Sequence, residues 1–310
     1  MRFLLNLLLI IVIIGVVGGM IKRIQDNRRA QELAAQQPAS DPEKPAQFTD
    51  EQWDIIKQAN SVPDDVTPLP TLSGSPSKIL KGRALYQYIC YLPHGYSDEE
   101  NKARSYPLIV FLHGQDLKGD DLDRLYQRSP IQDLQMREDP NFILAAPLCP
   151  ANGGWVSTAL DEFLEHIIAR FNVDQDRLYL TGISMGGHGA WSWAQDFPKR
   201  FAAIAPLCGA GNPQKAKLRL KRLPIWIFHG GNDAVVPVER ALSMIHALEP
   251  VNANLRYSIF PEQGHNIGGV YQRPELYVWF LTHSKDPKKS LLYQDPESVA
   301  AATETISNRP

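Results

Sequence analysis

The stretch Leu178-Tyr-Leu-Thr-Gly182-Ile-Ser184-Met-Gly186-Gly187-His-Gly189-Ala-Trp191 decides how this chain is read. Its first residues alternate like a buried strand, and its last residues suit a helix. Between them stands Gly-x-Ser-x-Gly, which is informative only in that setting of strand, sharp turn and helix. The glycines allow a backbone so bent that Ser184 is strained and its hydroxyl exposed. A helix starting there aims free N–H groups and the positive end of its dipole at whatever the hydroxyl reacts with. The five-residue pattern recurs by chance, so the flanking strand and partners downstream have to support it.

Working outward, Tyr106-Pro-Leu-Ile-Val-Phe-Leu112 is apolar throughout, as a central parallel strand buried on both faces would be. Ala84–Leu92 reads as an aromatic and apolar strand, and 142–146, 178–181, 202–207, 223–228 and 255–260 read as further strands. Helical patterns at 158–171, 187–196, 238–248 and 275–282 fall between or after them. This alternation predicts an α/β fold, a mostly parallel central sheet with helices on both faces. In such sheets the site lies at the carboxyl ends of the strands.

A serine hydroxyl needs a base to take its proton and an acid to orient that base. Strand 223–228 leads into His229-Gly-Gly-Asn-Asp233, and strand 255–260 into Pro261-Glu-Gln-Gly264-His265. Ser184, Asp233 and His265 therefore follow one another in the order Ser…Asp…His, each just past a strand. Glu262 is the rival acid and reads as a surface charge. The backbone N–H of Met185 is one expected donor to a developing oxyanion. The N–H of Gln115, in the loop His113-Gly114-Gln115, is the other, with Gly114 allowing close approach. His113 and His229 read as structural. Trp155 and His188 are candidate walls of the substrate pocket, together with Gly114. Trp191 and Trp193 read as core.

From about 83 to 284 the chain resembles the α/β-hydrolase superfamily, in particular bacterial serine carboxylesterases related to dienelactone hydrolases, polyhydroxybutyrate-depolymerase-like esterases and predicted peptidases. The resemblance rests on Tyr106 to Gly114, Ala145-Ala-Pro-Leu-Cys-Pro150, Val173 to Gly187, Phe201-Ala-Ala-Ile-Ala-Pro206, His229 to Pro237, and Gly264-His265. It implies an α/β-hydrolase fold and hydrolysis of a small-molecule ester through an acyl-enzyme, with no metal and no organic cofactor. Gln115-Asp116-Leu117-Lys118-Gly119 and Asn266-Ile267-Gly268-Gly269 depart from the usual pattern, which bears on substrate preference. A peptidase or acyltransferase could use the same triad. A non-catalytic binding protein on this fold would show an eroded triad.

The 310 residues are 44% hydrophobic with a net charge of −2, which gives no reason to expect nucleic acid as a partner. Cys90, Cys149 and Cys208 are too few and scattered for a disulfide scaffold, and no His or Cys stands at metal-ligand spacing. Phe3–Ile21 is apolar but for Asn6, and as a helix spans about 28 Å, close to a bilayer's hydrocarbon core. Residues 1–21 are expected to be a single membrane anchor; a cleaved export signal is the alternative. The charges Lys22, Arg23, Arg28 and Arg29 favour a cytoplasmic domain, and a signal anchor with an exported domain competes. Residues 22–77 read as a linker with a short capped helix near 50–59, residues 78–284 as the catalytic domain, and 285–310 as a disordered tail. The sequence does not indicate an oligomeric state.

Overall fold

The computed structural model describes residues 77–135 and 141–290. The expected anchor at 1–21, the helix near 50–59, all but the last residue of the linker and the tail beyond 290 lie outside them. Among the described residues, no helix is long and apolar enough to cross a membrane.

Eight strands make one sheet: β1 (Lys78–Arg83), β2 (Gln87–Leu92), β3 (Tyr106–Leu112), β4 (Ile143–Leu148), β5 (Val173–Ile183), β6 (Ala203–Leu207), β7 (Ile225–Gly230) and β8 (Leu255–Phe260). Their order is β1-β2-β4-β3-β5-β6-β7-β8. β1 with β2 and β2 with β4 are antiparallel, and every pairing from β4 onward is parallel. The helices are α1 (Leu122–Gln127), α2 (Pro130–Gln135), α3 (Ser157–Arg170), α4 (Met185–Asp196), α5 (Pro213–Arg219), α6 (Glu239–Leu248) and α7 (Pro274–Leu281).

Strand β3 shows why the sheet needs cover on both sides: all seven of its residues are buried. Leu108, Val110 and Leu112 pack with α3 through Phe163, α4 through Trp191 and α6 through Ile245. Ile109 and Phe111 point the other way, to Leu125 of α1, Ile131 of α2 and Phe280 of α7. The period of two thus splits one apolar run between two cores. Each such side chain contributes about 1.5–3 kcal/mol on burial.

Several local expectations change. The strand expected over Ala84–Leu92 is the second arm of a hairpin, with a turn at 84–86 and β1 before it. Gly82 pairs with Tyr88, and a Cβ at 82 would lie 2.3 Å from Tyr88 Cζ, so the tyrosine occupies the space the glycine leaves. β5 starts earlier than expected, because its charged opening is neutralised: buried Asp174 pairs with Arg177 at 3.0 Å and Lys289 at 2.9 Å. Lys289 also meets Asp176 at 2.8 Å, so the chain expected to leave the domain at 285 stays on it to Ser290. The stretch after Gln115, to which no helix was assigned, forms α1 and α2. The Asp121 carboxylate caps α1, accepting from the N–H groups of Asp123 and Arg124. α5 was not anticipated; Asn212 caps it and Pro213 opens it.

The ends of β3, β5 and β6 meet at the turn around Ser184, and three glycines make this possible. A Cβ at Gly182 would lie 2.5 Å from Gly186 O, one at Gly186 would lie 1.8 Å from Leu112 O, and one at Gly187 would lie 2.4 Å from Leu207 O. These contacts are with backbone, which cannot swing away. Gly186→Ala is therefore expected to cost about 3 kcal/mol or more. Gly154→Ala, where a Cβ meets nothing within 4 Å, should stay within about 0.5 kcal/mol of the parent. Thermal or urea unfolding of the two variants checks the contrast.

Candidate active site

Ser184 joins β5 to α4 with φ 58° and ψ −118°. That left-handed backbone costs a non-glycine residue on the order of 1–3 kcal/mol. It is fastened on both sides: Ser184 N–H donates to Leu207 O at 2.9 Å, and Ser184 O accepts from His188 N–H at 3.0 Å. Asp233 follows β7 and His265 follows β8. His265 Nε2 lies 2.7 Å from Ser184 Oγ, and His265 Nδ1 lies 2.7 Å from Asp233 Oδ2. A carboxylate only accepts, so the ring proton is assigned to Nδ1, and Nε2 turns its lone pair to the serine hydroxyl. The three predicted side chains meet at the carboxyl end of the sheet. Glu262 is exposed, and the imidazole's partner is Asp233.

Asp233 is buried. Burial alone would raise its carboxyl, but the bond from His265 and the N–H groups of Val236 and Val235 outweigh it and hold the group below the usual carboxylate range. Those two amides reach Oδ1 at 2.8 and 2.9 Å. Behind the carboxylate, His229 Nε2–H donates to Val236 O at 2.8 Å. In the neighbouring loop, His113 Nδ1 donates to Gly114 O at 2.7 Å while its Nε2 accepts from Cys149 N–H at 3.0 Å. Burial pushes both histidines down in pKa, and both brace loops as neutral rings.

Met185 opens α4 and Gln115 opens a 3-10 turn at Gln115–Leu117, so each N–H stands in a first turn where amides lack an intrahelical acceptor. Gly114 lets its loop approach the serine; a Cβ there would come 3.6 Å from Ser184 Cβ. Gly114, Gln115, Ser184 and His265 line one cleft of about 620 Å³. Its rim is polar, with Gln127, Arg128, Gln132, Asp133, Asn266 and Gln272, and Phe111, Leu117, Ile183 and Tyr271 give it apolar ground. Arg128 pairs with Asp116 at 3.0 Å, joining the end of α1 to the Gly114–Gln115 loop. The sequence carries no sign of this rim, because much of it lies on helices of only six residues each.

Two expected pocket residues sit elsewhere. Trp155 packs behind the site: its indole N–H donates to His113 O at 3.2 Å, and it fills the space over Gly189. α4 turns His188 away from Ser184, and His188 Nδ1 accepts from Ala210 N–H at 2.8 Å. Neither lines the cleft.

One cluster had no signal in the sequence. Cys208, His229 and Asp233 bring a thiol, an imidazole and a carboxylate within 4.8 Å of one another, from residues that no ligand spacing connects. As a metal site the donor set fits poorly. His229 Nε2 is committed to Val236 and Asp233 to His265. Burial above all, with the neighbouring carboxylate, pushes the Cys208 thiol up to about 12 and keeps it protonated.

Comparison with known proteins bears on the fold and on the class of relative. The model of the dienelactone hydrolase family matches residues 147–273. A protein of Aspergillus terreus described as a probable feruloyl esterase C is 29% identical over 188 residues, covering 56% of this chain and 63% of that one. A bifunctional acetylxylan esterase/xylanase of Neocallimastix patriciarum is 29% identical over 151 residues, covering 44% of this chain. The crystal structure of a thermostable esterase superposes with a TM-score of 0.55 at 27% identity, covering 67% of this chain and 63% of that one. The chain has the α/β-hydrolase fold, and the relatives it matches are described as esterases. It spans only 20% and 63% of the length of the two curated relatives just named. A feruloyl esterase module from Clostridium thermocellum, 14% identical with a TM-score of 0.52, shares the fold, and 99% of its chain is covered.

The protein carries three histidines that burial pushes down: His113, His229 and His283. A ring that is neutral in the fold but free to charge in the unfolded chain contributes its full stability above about pH 6.5. That contribution is lost as pH falls below this value towards the lower folded pKa. The melting temperature is therefore expected to drop from about pH 7 to about pH 5. The drop should be smaller in His283→Gln, a site remote from Ser184; a pH series of thermal melts reads the difference.

Proposed function

We propose that this α/β-hydrolase cleaves carboxylic esters through an acyl-enzyme formed on Ser184. The observation that carries the reading is the run of hydrogen bonds from Ser184 Oγ through His265 to Asp233, 2.7 Å at each link. Ser184 Oγ attacks the ester carbonyl as His265 Nε2 takes its proton. Asp233 holds Nδ1–H and stabilises the imidazolium. The N–H groups of Met185 and Gln115 donate to the oxyanion, a role worth about 2.7–4 kcal/mol for each such donor. His265 returns the proton to the leaving alcohol, then activates water to release the acid. None of these steps calls on a metal or an organic cofactor.

The cleft supports a compact acyl group, short or aromatic, on an alcohol that forms hydrogen bonds. Its ground is apolar around Phe111 and Tyr271 and its rim is polar. The relatives whose names mention feruloyl and acetylxylan esters are consistent with that class. We further propose that residues 3–21 tether the domain to a membrane, on the strength of their length and apolar composition.

Ser184→Ala is expected to lower kcat for short-acyl esters by about 10⁴-fold or more and to abolish labelling by a fluorophosphonate, with circular dichroism and the melting temperature unchanged. A panel graded by acyl length, with aryl-acyl esters and peptides alongside, should show turnover of short and aromatic acyl esters and little of long-chain esters or peptides. Turnover by purified Ser184→Ala, or peptides as the preferred substrates, would overturn the reading. For the tether, the full chain should stay with the membrane pellet after alkaline carbonate washing, and a variant starting at residue 22 should not.

A further inference from the structure

Among the described residues, two that are not glycine have left-handed backbone: Ser184 at φ 58° and Cys208 at φ 45°. The first is the turn that presents the serine. The second ends β6, the strand between β5 and β7, and therefore stands between Ser184 and Asp233. Glycine would adopt this backbone without strain, yet position 208 keeps a side chain. The Cys208 N–H donates to Phe228 O at 2.9 Å, which fixes the turn against β7.

The thiol is wholly buried. Its polar neighbours are the Asp233 carboxylate and the N–H of Gly230, and its sulfur lies within 4.8 Å of the Asp233 carboxylate and the His229 ring nitrogen. The remaining contacts of the carboxylate are accounted for. Oδ1 takes the N–H groups of Val235 and Val236. Oδ2 takes His265 Nδ1–H, and His229 Nε2, at 3.4 Å, is already donating to Val236 O. The other ionisable groups acting on this cluster are His265 from the loop after β8, Glu239 of α6, and Tyr271, whose hydroxyl is 3.0 Å from Thr181 Oγ1.

We infer that Cys208 is a positioning residue for the reaction: its thiol donates a hydrogen bond to Asp233, fixing the carboxylate and tempering its hold on the His265 proton. The inference rests on the Ser184–His265–Asp233 reading above. A neutral donor draws charge from the carboxylate. Without it, Asp233 stabilises the imidazolium more strongly, and His265 stays protonated, and so unable to act as base, to higher pH.

The test compares Cys208→Ala, Cys208→Gly and Cys208→Ser with the parent chain in pH profiles of kcat/KM on a short-acyl ester. The acid limb should move up by about half a pH unit in the alanine and glycine variants, the size expected for loss of one weak donor. It should return to the parent's position with serine, whose hydroxyl restores the donor. Glycine should melt no lower than alanine, because it relieves the backbone. This separates the donor's role from packing. A second readout does not need turnover: in a Ser184→Ala background, the low-field proton resonance of His265 Nδ1–H should shift with Cys208→Ala and not with Cys208→Ser. Acid limbs and resonances that coincide with the parent's, or a serine variant that behaves like alanine, would overturn the inference. Either result leaves the esterase reading standing if Ser184→Ala alone is inactive. If Ser184→Ala retains turnover, the esterase reading fails, and the resonance still reports whether the thiol and carboxylate are in contact.

Discussion

Among the described glycines the tightest approach is that of Gly186 to the carbonyl of Leu112, where a Cβ would fall 1.8 Å from the oxygen. This contact presses the first turn of α4 onto the end of β3. It brings two otherwise separate features together: the amides at the start of α4 and the loop that leaves β3 through His113 and Gly114. The strained backbone of Ser184 follows, because a chain that passes from β5 into a helix held so close to β3 must reverse within one residue. Gly182 and Gly187 remove the remaining obstructions, at Gly186 O and Leu207 O. The strain of order 1–3 kcal/mol at Ser184 is supported by apolar burial on both faces of β3, which holds that strand end in place.

Protonation in the site is divided by burial and by partners. His113 and His229 each commit a ring N–H to a carbonyl and are pushed down by burial, so they remain neutral braces. His265 is a quarter exposed at the side chain and has one nitrogen on a buried carboxylate and the other on a hydroxyl. Of the three rings it is the one that lines the cleft. Asp233 stays ionised despite its burial because its oxygens are saturated with donors, in keeping with the rule that a buried charge persists only where it is fully hydrogen-bonded.

Most of the parallel half of the sheet was legible in the sequence, because strands buried on both faces are nearly continuous apolar runs and the glycines at the turn carry specific steric meaning. The meeting of Ser184, Asp233 and His265 could be anticipated because each follows a strand and parallel strands end on one side. Other features were hidden for physical reasons. The charged opening of β5 does not look like a strand until Lys289, more than a hundred residues later, arrives to neutralise Asp174. α1 and α2 are each six residues long, too short for a helical period to register. His188 was misplaced because proximity in sequence to the serine does not say which way a helix turns a side chain, and Trp155 because the loop after β4 turns its indole to the His113 carbonyl. Cys208 had no signal, since its importance comes only from the neighbour that the sheet order gives it.

That order also explains how His265 reaches the serine. β8 lies three strand positions from β5, about 14 Å at the usual spacing, so an imidazole following β8 cannot meet Ser184 unless its loop folds back over β7. Gly230 at the end of β7 allows this, since a Cβ there would lie 2.1 Å from Gly264 O. Asp233, on the loop just beyond that crossing, then meets the returning ring partway and holds it, while Cys208 at the end of β6 fills the space between. Side chains offered by β5, β6, β7 and the loop after β8 thus form one chain across the sheet edge. The glycine at 230 does for His265 what Gly186 does for Ser184: it lets two backbones approach until their side chains can bond.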